Sequence, residues 1–231
     1  YDGRTYAFLG LERAGGVMIY DVTDPGKAHF DQYLTFSEHV SPEGLTYVSG
    51  QDSPTNQPLL LVANEVSGTI AIASPIHNSN DADYYPEDEE DQDCLTADTG
   101  KHLAIDCGNQ YLVMGAGELT WSLVGEYDSE LGEGASEIPS YDVDSARAFV
   151  VNAVTSTVDI LDLSDPTMPN LVHRIGITNG EPNSVAVHDG IVAVAVAGDG
   201  DEGSGMSKQD SGYVIFFDTD GNSLASIVAG A

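Results

Sequence analysis

Three short segments of this chain carry an oxygen ligand at a matching place. They are Pro42-Glu43-Gly44-Leu45-Thr46-Tyr47-Val48, Ser136-Glu137-Ile138-Pro139-Ser140-Tyr141-Asp142 and Pro182-Asn183-Ser184-Val185-Ala186-Val187-His188, which align on Glu43, Glu137 and Asn183. Carboxylate and amide oxygens gathered at one point suit Ca2+, a hard cation that takes about six to eight oxygen ligands. The bland alternative is that these side chains cap turns or hydrogen-bond a neighbouring strand. A second acidic group, Asp199, Asp201, Glu202 and Asp210, lies in the loop sequence GDGDEGSGMSKQD. Its Asp-Gly alternation resembles calcium-loop spacing without the closing Glu of an EF-hand, so a weak cation site and a solvated loop both remain open. A third candidate is Glu12 with Arg13 in the turn GLER, with Glu65 at the equivalent place in NEVSGT. An Arg in a chain so poor in cations is expected in a charge-assisted pair with a carboxylate, with binding of an anionic group as the alternative.

The search for catalytic patterns is negative. No GxSxG elbow, P-loop, HExxH or GxGxxG fingerprint occurs, and the six histidines are scattered without metal-ligand spacing. The sequence therefore leans against an enzyme. If it were one, a metal-dependent hydrolase of phosphoric or carboxylic esters would fit best.

These residues must be held by a folded scaffold of unusual charge. The 231 residues include 38 Asp plus Glu against 7 Lys plus Arg, a formal net charge of −31, with 41% apolar residues. That apolar share is too high for a chain kept disordered by charge. Such a surface repels phosphate backbones and anionic headgroups, which argues against nucleic acid and bare membrane as partners. The longest apolar runs, Leu59 to Ala63 and Ile191 to Ala197, are too short to insert into a membrane and read as buried strands. The acidity fits either hydration in high salt, as in halophilic-like proteins, or association with divalent cations. No initiator Met or signal peptide is present, so Tyr1 reads as the start of a processed or excised piece. Cys94 and Cys107 flank a short stretch and, in an exported chain, are expected to close a disulfide loop; they make neither a zinc site nor a CxxC redox pair.

Internal repetition sets the fold. Ala7 to Pro25 (AFLGLERAGGVMIYDVTDP) overlays Ala148 to Pro166 (AFVVNAVTSTVDILDLSDP) without a gap. Val62 to Ile72 gives a third copy, and Gly190 to Asp218 a fourth that is interrupted by the acidic loop. Each is an apolar run, a Gly/Ser/Thr/Asn turn and an alternating strand, which is hairpin chemistry. Val17, Ile70, Val158 and Val214 are equivalent, spaced by 53, 88 and 56 residues. The middle spacing divides in two if Gln110 to Met114 (QYLVM) is a degenerate copy. With the aligned segments as first strands and with Leu171 to Ile175 and Leu224 to Val228 as fourth strands, the pattern predicts an all-β propeller of about five four-stranded blades, partial or permuted. The first copy begins at its second strand, so an innermost strand is expected from outside this sequence. The predicted organisation is one set of propeller blades over residues 1–77, an acidic seam with a possible degenerate blade over 78–114, and a second set of blades over 115–231.

Several of these strings carry a family resemblance. GLERAGG with YDVTDP, SPEGL and ANEVSGT resembles the C-terminal part of the choice-of-anchor I propeller family, to which the mesenchyme-specific cell-surface glycoproteins are similar; GASEI, FVVN, VDILDL and NSVAV resemble its N-terminal part. The order is permuted here. The resemblance implies an exported protein held at the cell surface, and some family members carry alkaline-phosphatase-like or phytase/esterase-like descriptions. The expectation is thus an extracellular or cell-surface structural module, self-assembling into a filament or matrix and associated with Ca2+. Its partners would be copies of itself or neighbouring propeller segments joined through open blade edges. A calcium-dependent phosphatase/esterase-like hydrolase and a glycan- or peptide-binding module are the alternatives.

Overall fold

The computed structural model describes residues 3–77, 103–106, 111–115, 119–178, 180–197 and 212–229. The acidic insertion after His77, Cys94 and Cys107, and the loop holding Asp199, Asp201 and Asp210 lie outside the described residues.

Strands account for nearly all regular structure. In chain order they are β1 (Tyr6–Gly10), β2 (Val17–Asp21), β3 (His29–Leu34), β4 (Pro42–Val48), β5 (Leu59–Asn64) and β6 (Thr69–His77). There follow β7 (Leu103–Asp106), β8 (Tyr111–Gly115), β9 (Leu119–Asp128), β10 (Pro139–Asp142), β11 (Arg147–Asn152) and β12 (Thr157–Asp162). The last are β13 (Asn170–Gly176), β14 (Glu181–His188), β15 (Ile191–Ala197), β16 (Gly212–Asp218) and β17 (Ser223–Ala229). Among the described residues the single helical element is one 3-10 turn at Pro25–Lys27, opened by the Asp24 side chain, and no helix is long and apolar enough to cross a membrane.

Four antiparallel sheets result, ordered β1-β2-β3-β8-β7, β4-β5-β6-β9, β10-β11-β12-β13 and β14-β15-β16-β17. The repeated hairpins are β1–β2, β5–β6, β11–β12 and β15–β16, and the fourth strands expected at Leu171 and Leu224 are β13 and β17. This is a propeller-like arrangement of blades, with two differences from the sequence expectation. The QYLVM strand does not seed a fifth blade. As β8 it pairs with β3 and carries β7 beyond it, widening the first sheet, because a lone hairpin cannot bury a face and an open sheet edge can take it up. The second difference concerns β9, whose register runs from Thr69↔Asp128 to His77↔Leu119 along β6. The second blade therefore crosses the expected boundary between 114 and 115, which separates no sheets.

Successive sheets stack face to face around three apolar clusters. Val17, Ile19 and Leu34 of the first sheet meet Leu60, Val62 and Trp121 of the second. Leu61, Ala63 and Ile70 of the second meet Ala148, Val150 and Leu161 of the third. Phe149, Val151 and Ile160 of the third meet Val192, Val194 and Phe217 of the fourth. Being covered on both faces explains why β5 is apolar from Leu59 to Ala63 and wholly buried, whereas a one-sided strand would alternate. Polar side chains fix the stacking where apolar contact alone would allow sliding. Gln32 on β3 donates to the Trp121 carbonyl at 3.0 Å and accepts from its N–H at 2.9 Å, with both residues buried. Within the third blade, buried Asp159 accepts from Thr157 Oγ1, Asn152 Nδ2 and Arg174 Nε. Among the described residues the four sheets do not close into a ring, so the series of blades is open.

Candidate functional site

The three aligned ligand positions share one backbone device. In β4, Pro42 pairs with Asn64 and Gly44 with Ala63, leaving Glu43 as an extra, unpaired residue. In β14, Pro182 pairs with Val196 and Ser184 with Ala195, leaving Asn183. Ahead of β10, Glu137 N–H donates to the Val151 carbonyl at 3.1 Å while Val151 N–H donates to the Ile138 carbonyl at 3.0 Å, so two residues again face one. Each innermost strand therefore enters its blade through a β-bulge, a feature that re-aims a side chain at the rim of a sheet. The inner strands are also tied to each other. Thr46 Oγ1 donates to the Pro139 carbonyl at 2.6 Å, and Val187 N–H donates to Ser140 Oγ at 3.0 Å.

Gly44 shows why Glu43 and Glu137 come together. A Cβ at this position would run into the Glu137 carbonyl oxygen and Pro139 Cδ, so only glycine lets β4 approach the entrance of β10. The β5–β6 turn then brings in a third carboxylate. Glu65 N–H donates to the Ser41 carbonyl at 2.8 Å, and its own carbonyl accepts from Gly134 N–H at 2.9 Å, which pins the turn to both neighbouring leaders. Gly68, at φ +67°, completes this turn close against the Gly132 carbonyl.

Glu43, Glu65 and Glu137 consequently each place a carboxylate oxygen within 4.8 Å of the others. Glu65, expected as the counterpart of Glu12 in an ion pair, belongs to this carboxylate group and takes a long 3.5 Å hydrogen bond from Ser41 Oγ. Burial first, then the charges of Glu43, Glu65 and Glu181, push the Glu137 carboxyl up from 4.5 to about 7. Burial first, then Glu65 and Glu12, raise Glu43 as well. Like charges held at this spacing call for a proton or a cation between them. Asn183 sits exposed at the matching bulge of β14, two residues from Glu181. The contribution of Glu65 was hidden in the sequence because a turn residue reaches the site through backbone bonds to segments 24 and 69 residues away.

Arg13 pairs with the adjacent Glu12 at 3.1 Å, and both are solvent-exposed, so the pair adds little stability. Beside it a cleft of about 240 Å3 is lined by Glu12, Arg13, Tyr33, Phe36 and His39, among others. His39 is the buried wall of that cleft. Its Nε2–H donates to Glu126 Oε2 at 3.0 Å, and its Nδ1 lies 2.7 Å from Thr69 Oγ1, which in turn meets Ser67 Oγ at 2.8 Å. Hydroxyl, imidazole and carboxylate stand in triad order, yet Thr69 is buried and its hydroxyl is engaged within the chain of bonds, so the group acts as a clamp on the loop before β4.

Bulged inner strands converging on an acidic mouth, with sheets stacked as blades, define a propeller-type module. Residues 137–231 match the Choice-of-anchor I domain, the family whose resemblance the motifs carry. No curated protein matches the chain. Among solved structures, a chain of a nidogen/laminin complex is similar at 11% identity and a TM-score of 0.50, over 96% of this chain and 58% of that chain. A protein from Lactobacillus plantarum is similar at 12% identity and a TM-score of 0.41, over 97% of this chain and 68% of its own. The present chain thus spans little more than half the length of the nidogen/laminin chain, a likeness that concerns the fold alone.

Proposed function

We propose that this chain is a structural propeller module of the cell exterior, whose acidic mouth takes up Ca2+ and which builds larger assemblies with copies of itself. The observation that carries the cation reading is the approach of Glu43, Glu65 and Glu137 to within 4.8 Å of one another. Their donor set fits a hard divalent ion, since all three offer carboxylate oxygens and Ser41 Oγ lies beside them. A bound cation would supply the positive charge that offsets their repulsion and fix the entrances of β4 and β10 relative to the β5–β6 turn. The −31 net charge supports an exterior that stays hydrated in salt, and the family match supports the surface location. The module then works as a rigid spacer rather than as an enzyme.

The test is thermal unfolding in EDTA and then in millimolar Ca2+, at matched high ionic strength so that general screening is constant. A calcium-specific rise in midpoint, reduced in Glu43→Gln and Glu65→Gln, supports the site. Equal midpoints would assign the carboxylates to salt adaptation. A glycan- or peptide-binding module is the second reading, favoured by the cleft that Tyr33 and Phe36 line beside Glu12 and Arg13; a glycan array with an Arg13→Ala control separates the two.

A further inference from the structure

The turn of the β1–β2 hairpin departs from its counterparts in the second and third blades at the places that line the cleft, and the repeat makes the comparison residue by residue. Val17, Ile70 and Val158 are equivalent, so Gly16 stands where the other turns have Thr69 and Thr157, Ala14 where they have Ser67 and Thr155, and Arg13 where they have Val66 and Val154. In both counterparts the two hydroxyls meet at 2.8 Å beneath the turn, and Thr69 and Thr157 are buried. The chain leaving each of those blades is also stitched to the turn. Ser129 N–H donates to the Gly68 carbonyl at 3.2 Å, and Ile177 N–H donates to the Ser156 carbonyl at 2.9 Å. In the first blade the equivalent Gly15 carbonyl takes the Tyr33 hydroxyl instead, at 2.7 Å. Gly16, at φ +74°, lets the Tyr33 ring lie against the turn, since a Cβ there would run into that ring and into the Leu34 carbonyl. The segment from Thr35 to Val40 stands off from the turn, and the cleft of about 240 Å3 lies between them.

The chemistry of the cleft follows from its two sides. Both ring nitrogens of His39 are taken up by Glu126 and Thr69, so its carbon edge, with the Phe36 ring that it meets edge to face at 5.6 Å, makes an apolar wall. Arg13 brings a guanidinium to the position that the other turns fill with valine. Its fork suits a carboxylate, and its exposed pair with the adjacent Glu12 at 3.1 Å opens at little cost. Glu12 and the net charge of −31 penalise a second negative charge at this place, which favours a monoanion over a phosphate dianion. The volume is below the roughly 300–1,000 Å3 of sites for drug-sized molecules, so one ring or one branched chain fills it. We propose that the cleft binds a monocarboxylate with a compact apolar body, its carboxylate on Arg13 and its body against Phe36 and His39. A free aromatic or branched carboxylic acid and the C-terminal residue of a peptide share this chemistry. The proposal deepens the second reading above, that of a binding module, and rests on it.

The experiment is calorimetric titration with 3-phenylpropionate, with its neutral amide and with acetate, at constant ionic strength and in EDTA so that no Ca2+ at the acidic mouth can take the carboxylate. Two variants report on the cleft. Arg13→Gln removes the charge at a fully solvated side chain, and Ala14→Phe fills the cleft from its exposed rim; circular dichroism checks both folds. Saturable binding of 3-phenylpropionate is expected, at least about tenfold tighter than that of the amide or of acetate, with a loss of at least about tenfold in Arg13→Gln and in Ala14→Phe. A short peptide ending in Phe, with its carboxyl free or amidated, separates the two sources: tighter binding of the free peptide than of 3-phenylpropionate assigns the cleft to a chain terminus, and weaker binding to a small acid. Equal binding of acid and amide, indifference to Arg13→Gln, or no binding of either carboxylate would overturn the proposal. Binding of neutral glycans on an array that Ala14→Phe abolishes and Arg13→Gln leaves intact would overturn it too, while leaving the binding-module reading in place.

Discussion

Replacing Glu137 by Gln tests the electrostatics of the acidic mouth with a change of almost no volume. In the cation-free protein, ionising Glu137 requires a part-buried charge to form beside Glu43 and Glu65, which is why its carboxyl is displaced from 4.5 to about 7. That displacement corresponds to roughly 3 kcal/mol at most. Because the side chain is partly exposed, solvent screening brings the working figure to ~1–2 kcal/mol. A carboxyl raised in the folded state contributes stability that is complete below its usual value and is lost as pH rises through about 7. At pH 8 in EDTA the natural chain bears this repulsion and Glu137→Gln does not. For a chain of this size the variant should therefore melt roughly 3 to 6 °C higher, while its response to Ca2+ is smaller. Between about pH 5 and 7.5 the natural chain should lose stability with rising pH relative to the variant. Calorimetric scans settle the point. A variant that melts lower than the natural chain in EDTA at pH 8, or a difference between the two midpoints that ignores pH in that window, would refute the reasoning.

Other perturbations probe the supports of the site. Gly44→Ala drives a methyl group into the Glu137 carbonyl and Pro139 and should cost about 1–3 kcal/mol in urea unfolding, with a matching loss of Ca2+ response. Gln32→Leu leaves the N–H and carbonyl of Trp121 buried without partners; about 2–4 kcal/mol is expected, together with faster hydrogen exchange along β9. His39 titrates in the opposite sense to Glu137. Burial lowers its pKa in spite of Glu126, so its contribution is present above the usual histidine value of 6.5 and is lost as pH falls below it. The urea midpoint of the natural chain should drop in that acidic range, and that of His39→Gln should drop less.

The hairpin copies were legible because each repeats the same turn chemistry and the same two-residue alternation, from AFLGLERAGGVMIYD to GYVIFFD. The alignment of Glu43, Glu137 and Asn183 on their leader sequences marked equivalent places, and the structure adds what the pattern did not name, that each is left over in its strand register. What the pattern could not give was the destination of single strands. QYLVM looks the same whether it founds a blade or docks on one, since its choice depends on a sheet edge elsewhere in the chain. LTWSLVGEYD likewise closes a blade whose other strands lie more than 40 residues earlier, and a non-local pairing of that kind leaves no local periodicity. The approach of Glu65 to the other carboxylates was hidden for a related reason, because it is set by backbone bonds to Ser41 and Gly134 rather than by anything in NEVSGT.

The route taken between β6 and β9 has a mechanical meaning. After finishing the third strand of its second blade, the chain lends a hairpin to the first blade before coming back to complete the second. Neither blade can be peeled away without pulling on the other, and the Gln32–Trp121 bridge rivets the same pair from inside. The first two blades should thus open as one cooperative unit, sharing a single protection level in hydrogen exchange, whereas the third and fourth, each a continuous run of four strands, are free to open singly. Such a pair also waits on distant segments to meet before it can form, which makes it the slow step of folding and, once closed, the part of the molecule best suited to bear load.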